Sequence, residues 1–347
     1  MKGVVFKGGR ELELMEFPDP TPGPDDVVLE IKASGMCGSD LHFYRAAEGA
    51  KSLGLGGDGS PIIGGHEPCG VVAARGANVS AEQLPDGARV MCHHYRGCGV
   101  CSDCRSGWQQ LCSDGFVVYG ATAHGSHARY MSVPASTLVP LPEELSFAEG
   151  AAISCGTGTA FGAIRRMNLT GRDTLAVFGV GPVGLSVVMI AHQMGARVIA
   201  LDISSERLAL AEEFGADAIV DSSEQDAVEA IRSLTNGRGA DLAVDCSGSP
   251  EARVAAVRST RTWGTVCLVG EGGTITLDVS KDINRRQLTI IGSWTFSSFG
   301  QADCARYIAE RDIDVERLFT HRYSLDQAEE AYRLFDRQTT GKGVFLF

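Results

Sequence analysis

The run LAVFGVGPVG, residues 175–184, is the most informative stretch of this sequence. It joins a short apolar segment to glycines at positions 179, 181 and 184, and a helix-like segment follows directly. A G-x-G-x-x-G pattern between a strand and a helix is typical of a dinucleotide-binding turn. There the glycines permit a tight turn, close approach of a pyrophosphate and close packing of the helix on the sheet. The alternative is that they are ordinary turn glycines.

The predicted cofactor site surrounds this turn. It consists of Gly179, Val180, Gly181, Pro182, Val183, Gly184, Asp202, Arg207 and Val269. Asp202 lies eighteen residues after Gly184, at the end of the next predicted strand. A carboxylate there can accept hydrogen bonds from both ribose hydroxyls and would repel a 2′-phosphate, which predicts NAD rather than NADP. Arg207 nearby leaves some use of NADP open, and Asp202 could instead be a helix cap.

Strand-like and helix-like runs alternate outward from the glycine turn. Strands are predicted at residues 175–178, 197–201, 218–220, 242–245 and 265–269, and helices at residues 183–194 and 204–214. This alternation predicts a parallel, doubly wound sheet. Roughly the first 150 residues differ, because short strands such as residues 27–33 and 89–92 are separated by Gly and Pro, which indicates a β-rich domain. The glycine-rich residues 53–59 predict a loop, and the tail predicts a helix at 325–337 and a strand at 343–347.

Composition limits the classes of function. The chain has 347 residues, enough for two domains, and a formal net charge of −12 without a basic run, which argues against a nucleic-acid partner. It has no run of ~18 apolar residues and no signal-peptide pattern at its start, so we expect no membrane partner and a cytoplasmic protein. Eleven cysteines are many for that compartment, where clustered thiols are more often metal ligands or catalytic groups than disulfides.

Four of the cysteines form a short-spaced cluster. Cys98, Cys101, Cys104 and Cys112 follow the pattern C-x2-C-x2-C-x7-C. Four thiolates in one loop can complete a tetrahedral zinc shell, which is usually structural because no position stays open for a substrate. An iron–sulfur cluster is the rival, but no C-P follows at the ferredoxin offset. Four unrelated thiols are the remaining alternative.

A second set of metal-binding residue types is dispersed. It comprises CGSDLH at residues 37–42, GGHE at residues 64–67, and Cys155. Two cysteines and one histidine plus a water form a catalytic zinc set with one position open. No short spacing links these residues, however, and each alone would more often be a buried thiol or a core histidine.

The order of these motifs resembles that of the zinc-dependent medium-chain alcohol and polyol dehydrogenases. CGSDLH, GGHE, the four-cysteine loop and VFGVGPVG follow one another in the same order as in that family, and the similarity covers essentially the whole chain. The resemblance implies an α/β protein with a GroES-like, β-rich catalytic domain (residues 1–152 and 293–347) and a Rossmann domain (residues 153–292), with the active site in the cleft between them. It also implies a homo-oligomer, with a tetramer favoured over a dimer.

The resemblance assigns roles to the dispersed residues. Cys37, His66 and Cys155 match the ligands of a catalytic zinc, although many sorbitol- and threonine-type relatives carry a glutamate near the third position. Glu67 matches a carboxylate that lies behind the zinc or moves to bind it, and Asp40 matches the residue that supports the zinc histidine. Ser39 and His42 match a proton relay. Together with the four-cysteine loop, this predicts one catalytic and one structural zinc per chain.

The substrate pocket is predicted from the same resemblance. His94, Glu271 and Trp294 fall where relatives line the pocket and the nicotinamide, although each could be an ordinary strand or turn residue. A histidine and a carboxylate there would suit a small, polar secondary alcohol, such as a polyol, cyclitol or amino alcohol. The alternatives are a primary-alcohol or aldehyde dehydrogenase of the same family, a zinc-free enone or quinone reductase, and a non-catalytic zinc-binding adaptor.

Overall fold

A computed structural model describes residues 1–47, 59–337 and 341–347 of the chain. The polypeptide divides into two compact units, one formed by Met1–Gly158 with Phe296–Phe347 and the other by Thr159–Thr295. The loop predicted at residues 53–59 lies outside the described residues, except for Gly59. Within the described ranges, no helix is both long enough and apolar enough to cross a membrane.

The first unit begins with short strands, as its Gly- and Pro-punctuated sequence predicts. They are β1 (Lys2–Gly8), β2 (Glu11–Glu16), β3 (Asp26–Gly35), β4 (Glu67–Arg75), β5 (Arg89–Cys92), β6 (Tyr95–Arg96), β7 (Val117–Val118), β8 (Tyr130–Pro134) and β9 (Leu138–Pro140). The helices among them are α1 (Asp40–Arg45), α2 (Ser102–Arg105) and α3 (Phe147–Ile153). Strand β3 is the centre of this unit, because Leu29 and Ile31 are buried in a core shared with Val72 and Val90.

The second unit contains the predicted doubly wound sheet. After α4 (Gly156–Met167) the elements are β10 (Thr174–Phe178), α5 (Pro182–Gln193), β11 (Arg197–Asp202), α6 (Ser205–Glu213), β12 (Ala218–Asp221), α7 (Ala227–Leu234), β13 (Ala240–Asp245), α8 (Pro250–Ser259), β14 (Thr260–Leu268) and β15 (Thr289–Gly292). The strands pair in parallel in the order β12-β11-β10-β13-β14-β15. The strand order reverses beside β10, which is where open α/β sheets bind ligands.

The end of the chain returns to the first unit. Its elements there are α9 (Ser298–Glu310), β16 (Phe319–Tyr323), α10 (Ala328–Phe335) and β17 (Lys342–Leu346). Strand β17 pairs antiparallel with β3 and completes a sheet of order β16-β17-β3-β4-β5-β9, with β8 also on β3. Tyr332 of α10 and Phe345 of β17 pack with Phe6 and Leu41 in one apolar cluster. The C-terminal segment is therefore part of the core around α1.

Two elements differ from the sequence-based expectation. Strand β14 begins at Thr260, five residues before the predicted start, and its early part includes Trp263, which is exposed and has a positive φ. An exposed, irregular strand end carries no buried apolar run that a pattern could detect. The predicted tail helix is a 3-10 turn at Leu325–Gln327 followed by α10, with Ser324 and Gln327 forming a capping box at the turn.

Candidate metal and cofactor sites

The CGSDLH segment folds around the carboxylate of Asp40. Strand β3 ends at Gly35, and the amide of Cys37 donates a 2.9 Å hydrogen bond to Asp40 Oδ2 as the chain turns into α1. Ser39 occupies the N-cap position of α1, but its side chain makes no capping hydrogen bond. His42 is exposed one turn further on. The alternative that Ser39 serves only as a helix cap therefore has no hydrogen bond to support it.

The structure brings the dispersed metal-binding side chains together. Cys37 follows β3, His66 directly precedes β4, Glu67 is the first residue of β4, and Cys155 lies between α3 and α4. One potential ligand atom from each of the four lies within 4.8 Å of the others, and the sulfurs of Cys37 and Cys155 are 3.8 Å apart. Two sulfurs on a tetrahedral zinc, each ~2.3 Å from the metal, are separated by about 3.8 Å. The donor set and its spacing fit a zinc ion.

A buried carboxylate orients the histidine of this group. Asp40 Oδ1 accepts a 2.9 Å hydrogen bond from His66 Nδ1, which leaves Nε2 for a metal. Burial opposes charge on both side chains, but their mutual attraction outweighs it. His66 lowers the pKa of Asp40 to about 2, and Asp40 and Cys37 raise the pKa of His66 well above its usual value.

Lys342 is a site residue that the sequence analysis missed. Its ammonium lies 2.6 Å from Glu67 Oε1 and 2.8 Å from the carbonyl oxygen of Met36, inside the first unit. Burial raises the pKa of Glu67, and the Lys342 ammonium beside it acts in the opposite direction and keeps the carboxylate paired. Oε2 of Glu67 is buried without a hydrogen-bond partner. A carboxylate oxygen in that situation is a potential ligand for a cation beside it.

His94, one of the predicted pocket residues, lies beside this group. Its ring is 5.1 Å from that of His66, and Nδ1 donates a 2.9 Å hydrogen bond to the carbonyl oxygen of Ser154. Burial, with the nearby His66, holds the pKa of His94 well below its usual value. A neutral ring that donates from Nδ1 has an acceptor at Nε2. Glu271 and Trp294 are exposed positions of the second unit, the first after β14 and the second after β15.

The four-cysteine cluster has the geometry of a closed tetrahedral site. All four sulfurs lie within 4.8 Å of one another. Cys98 Sγ is 4.0 Å from Cys104 Sγ, and Cys101 Sγ is 3.9 Å from Cys112 Sγ, close to the ~3.8 Å of a zinc tetrahedron. Backbone amides point at the sulfurs, and the amide of Cys104 contributes most to a pKa of about 6 for the Cys101 thiol. The loop is arranged to hold thiolates around one ion.

At each of the three positions of the dinucleotide turn, a different physical reason favours glycine over a larger residue. Gly179 has a φ of +84°, and a Cβ there would lie 2.7 Å from that of Ser247. A Cβ on Gly184 would be 2.0 Å from the carbonyl oxygen of Gly179, so α5 could not approach the strand. A Cβ on Gly181 would meet no atom within 4 Å. No neighbouring atom of the described chain therefore requires glycine at that position. A pyrophosphate bound at the N-terminus of α5 would require it, because the ligand would occupy the open space beside Gly181.

Two strand ends complete this edge of the sheet. Asp202 Oδ2 accepts the amide of Val180 at 2.8 Å, and Oδ1 accepts the amide of Ile203 at 2.8 Å. Arg207 Nη1 lies 3.9 Å from Asp202 Oδ2, so the only basic side chain predicted at this site faces the carboxylate. Val269 follows β14, and its amide donates to the carbonyl oxygen of Asp245. The structure brings Asp202 and the glycine turn together by a direct hydrogen bond.

Comparison with known proteins gives consistent matches along the chain. The family described as the alcohol dehydrogenase GroES-like domain matches residues 23–143, and the zinc-binding dehydrogenase family matches residues 182–310. The chain is 39% identical to YphC of Escherichia coli K12, an uncharacterised zinc-type alcohol dehydrogenase-like protein, over 100% of this chain and 99% of that one. It is 32% identical to the sorbitol dehydrogenase of Bacillus subtilis 168, covering 95% and 92% of the two chains.

A solved structure extends this similarity to three dimensions. The alcohol dehydrogenase TADH from Thermus sp. ATN1 superposes with a TM-score of 0.90 at 28% identity, covering 100% of this chain and 99% of that one. Such coverage means that both compact units, and not one of them alone, have counterparts there.

Proposed function

Since this chain belongs to the zinc-type medium-chain alcohol and polyol dehydrogenase family, we propose that it oxidises a small, polar secondary alcohol with NAD. Polyols, cyclitols and amino alcohols are the substrate classes proposed. The observation that carries this proposal is the group of Cys37, His66 and Cys155, whose donor atoms lie within 4.8 Å of one another and of a carboxylate oxygen of Glu67. Two thiolates and one imidazole leave one of the four positions of a tetrahedral zinc open for a substrate oxygen.

The residues around this group divide the remaining work. A zinc ion bound there would lower the pKa of a substrate hydroxyl, and a bound nicotinamide would accept the hydride. Asp40 holds the His66 ring with Nε2 directed to the metal position. The Ser39 hydroxyl takes up the substrate proton as it gives up its own, and that proton is passed on to the exposed imidazole of His42, which releases it to water. Zinc binding and proton removal thus depend on the same short segment.

His94 supports a polar substrate. With Nδ1 committed to the carbonyl oxygen of Ser154, its Nε2 accepts a hydrogen bond from a second hydroxyl or an amino group on the substrate. The relative named sorbitol dehydrogenase supports the same substrate class. We assign Glu271 and Trp294 to the pocket on the family resemblance.

Further assignments complete the proposal. The cofactor is NAD, supported by the Asp202 carboxylate beside the glycine turn, and a second, structural zinc binds to the four-cysteine cluster. Catalysis resides in residues 1–152 and 293–347 and dinucleotide binding in residues 153–292. We place the protein in the cytoplasm, where its eleven free thiols stay reduced. For assembly we propose a homotetramer, which light scattering on purified protein would test.

One screen separates this proposal from two of its alternatives, a primary-alcohol dehydrogenase and a zinc-binding adaptor. Purified protein is incubated with NAD and matched sets of polyols, cyclitols, amino alcohols and primary alcohols, and absorbance at 340 nm is followed. Zinc is counted on the same samples. We expect about two zinc ions per chain and the highest kcat/KM with a polar secondary alcohol. A preference for primary alcohols would favour the aldehyde-forming relative, and zinc without any turnover would favour an adaptor.

A further inference from the structure

A chain of hydrogen bonds runs outward from His66 through the interior of the first unit. Beyond Asp40 it continues to Tyr332, His127, Ser34 and Ser126, none of which the sequence analysis singled out. The Tyr332 hydroxyl lies 3.2 Å from Asp40 Oδ2 and 2.6 Å from His127 Nε2. His127 Nδ1 lies 2.8 Å from Ser34 Oγ, which lies 2.6 Å from Ser126 Oγ. Every side chain in this series is buried.

The ionised state of Asp40 determines which group donates each hydrogen bond in this series. Asp40 accepts N–H groups from both Cys37 and His66, which is the behaviour of an ionised carboxylate. Tyr332 must therefore donate its single proton to Asp40, and its oxygen must accept from His127 Nε2. Because burial lowers the pKa of His127 to about 4, the ring is neutral and its Nδ1 accepts from Ser34. All donors in this outer series then point one way, toward Asp40.

The packing around the series leaves its members little freedom. The Tyr332 ring contacts Phe6 at 4.9 Å and Tyr44 at 5.6 Å between centroids, within the core cluster. His127 presses against the residue before His66, because a Cβ on Gly65 would lie 2.3 Å from His127 Nδ1. His127 is thus connected to His66 in two ways: by hydrogen bonds through Tyr332 and Asp40, and by packing against the backbone of Gly65.

We propose that Tyr332 and His127 are positioning residues of the zinc site, which fix the Asp40 carboxylate and, through it, the His66 ring. This inference rests on the proposed zinc-binding role of Cys37, His66 and Cys155. Without the Tyr332 hydroxyl, Oδ2 of Asp40 keeps only the amide of Cys37, and the carboxylate can rotate away from His66. Partners of a metal-bound histidine change metal affinity by about 10–100-fold, and a residue one step further out acts through them with smaller effect.

The competing explanation is that the series only stabilises the core. The two explanations make opposite predictions for a double variant. Tyr332→Phe alone leaves Nε2 of His127 buried without a partner, which costs stability as well as the hydrogen bond to Asp40. Tyr332→Phe with His127→Phe removes both polar ends, so stability recovers in part. The hydrogen bond to Asp40 is still missing in the double variant.

The experiment compares the zinc-loaded full chain with Tyr332→Phe, His127→Phe and the double variant. Release of zinc to a colorimetric chelator is followed with time, and thermal melting is measured on the same samples. We expect Tyr332→Phe and the double variant to release the zinc held by His66 several-fold faster than wild type, even though the double variant melts closer to wild type. A visible-band shift after cobalt exchange should accompany the faster release. Zinc in the four-cysteine cluster is an internal standard that should not change.

Two controls make the outcome decisive. Tyr44→Phe removes a phenol hydroxyl from the same aromatic cluster, one that is not among the groups hydrogen-bonded to Asp40 in the described chain, and should release zinc like wild type. Cys37→Ser should lower the zinc count by about one ion, because it removes a direct ligand. If release simply follows melting temperature across the series, the positioning role is overturned while the zinc site stands. If Cys37→Ser loses no zinc, the proposed site itself is wrong, and the positioning role falls with it.

Discussion

The ammonium of Lys342 lies 2.6 Å from Oε1 of Glu67, and the two side chains are 2% and 0% exposed. They are 275 residues apart in the sequence and meet because β17, which begins at Lys342, pairs with β3 beside the metal-binding group. Removing one member of a buried charge pair strongly destabilises a protein, because the remaining charge is left in the interior without a partner.

We therefore predict that Lys342→Met destabilises the protein by about 3–5 kcal/mol, as measured by urea unfolding of the zinc-loaded chain. Glu67→Gln combined with Lys342→Met should recover part of that loss, because no buried charge is left unpaired. Lys32→Met is the matched control, since Lys32 pairs with Glu30 near the surface, and should cost less than about 1 kcal/mol. Equal losses for the two lysine variants would contradict the prediction.

The two metal groups should separate cleanly by mutation. Cys37→Ser should abolish turnover with little change in melting temperature, whereas Cys101→Ser should lower the melting temperature or prevent assembly, because it opens a closed shell. Each variant should lose about one zinc ion per chain. Cys304→Ala, a buried thiol far from either group in sequence, should keep both ions. An active Cys37→Ser enzyme would remove the catalytic assignment.

Cofactor preference should depend on Asp202. Wild-type kcat/KM should be much higher with NAD than with NADP, and Asp202→Ser should narrow the ratio by about tenfold or more, the equivalent of hydrogen bonds to a charged group. Asp221→Ser is the control, because Asp221 ends the adjacent strand β12 opposite Asp202. Among the described residues its carboxylate accepts hydrogen bonds from Ser223 and not from the glycine turn. Equal wild-type efficiency with the two cofactors would show that the carboxylate does not discriminate.

Local patterns in the sequence predict some of these features well. The glycine turn, the strand ends and the four-cysteine loop depend on spacings of a few residues, and the structure forms each of them as a local unit. Cys37, His66 and Cys155 are different, since only the family resemblance connects them across the sequence. Folding brings them together because β3, β4 and the α3–α4 junction meet in space.

Lys342, Tyr332 and His127 could not be predicted from any spacing. Lys342 reaches Glu67 through the pairing of β17 with β3, and Tyr332 reaches Asp40 through the packing of α10, with His127 bonded to Tyr332 from behind. These are contacts between distant parts of the chain. The only local signal is a lysine at the start of the otherwise apolar run KGVFLF. A buried polar side chain is informative only once its partner is known, because a lone lysine or tyrosine is ordinarily a surface or core residue.

The proton path should be visible in the pH dependence of His42→Ala. Oxidation releases a proton from the substrate hydroxyl, and an imidazole exposed to solvent can accept that proton and release it to water. We expect the rate of oxidation to fall most near and below neutral pH, by up to ~100-fold, with a smaller deficit at high pH or with added small bases. His192→Ala, on the surface of the second unit, should follow the wild-type profile. If the His42→Ala profile overlays wild type throughout, the relay role is wrong.

Substrate polarity should depend on the acceptor at His94 Nε2. His94→Phe keeps a flat ring beside His66 but removes that acceptor, together with the hydrogen bond to the Ser154 carbonyl. We expect kcat/KM for the preferred polyol or amino alcohol to fall by about 10–100-fold, the range of one buried hydrogen bond, with much less change for a simple secondary alcohol of similar size. The quantity to measure is the ratio between the two substrates, because a loss of stability alone would lower both.

The neighbouring histidine separates this role from a general effect on the core. His93 Nε2 donates to the carbonyl oxygen of Phe296, and its ring stacks on His94 at 6.2 Å. His93→Phe therefore removes a comparable imidazole–carbonyl hydrogen bond one residue away and should leave the substrate ratio unchanged. If both variants shift the ratio equally, packing rather than the acceptor sets the preference. If neither variant shifts the substrate ratio, His94 does not contact the polar part of the substrate, and another residue of the pocket must recognise it.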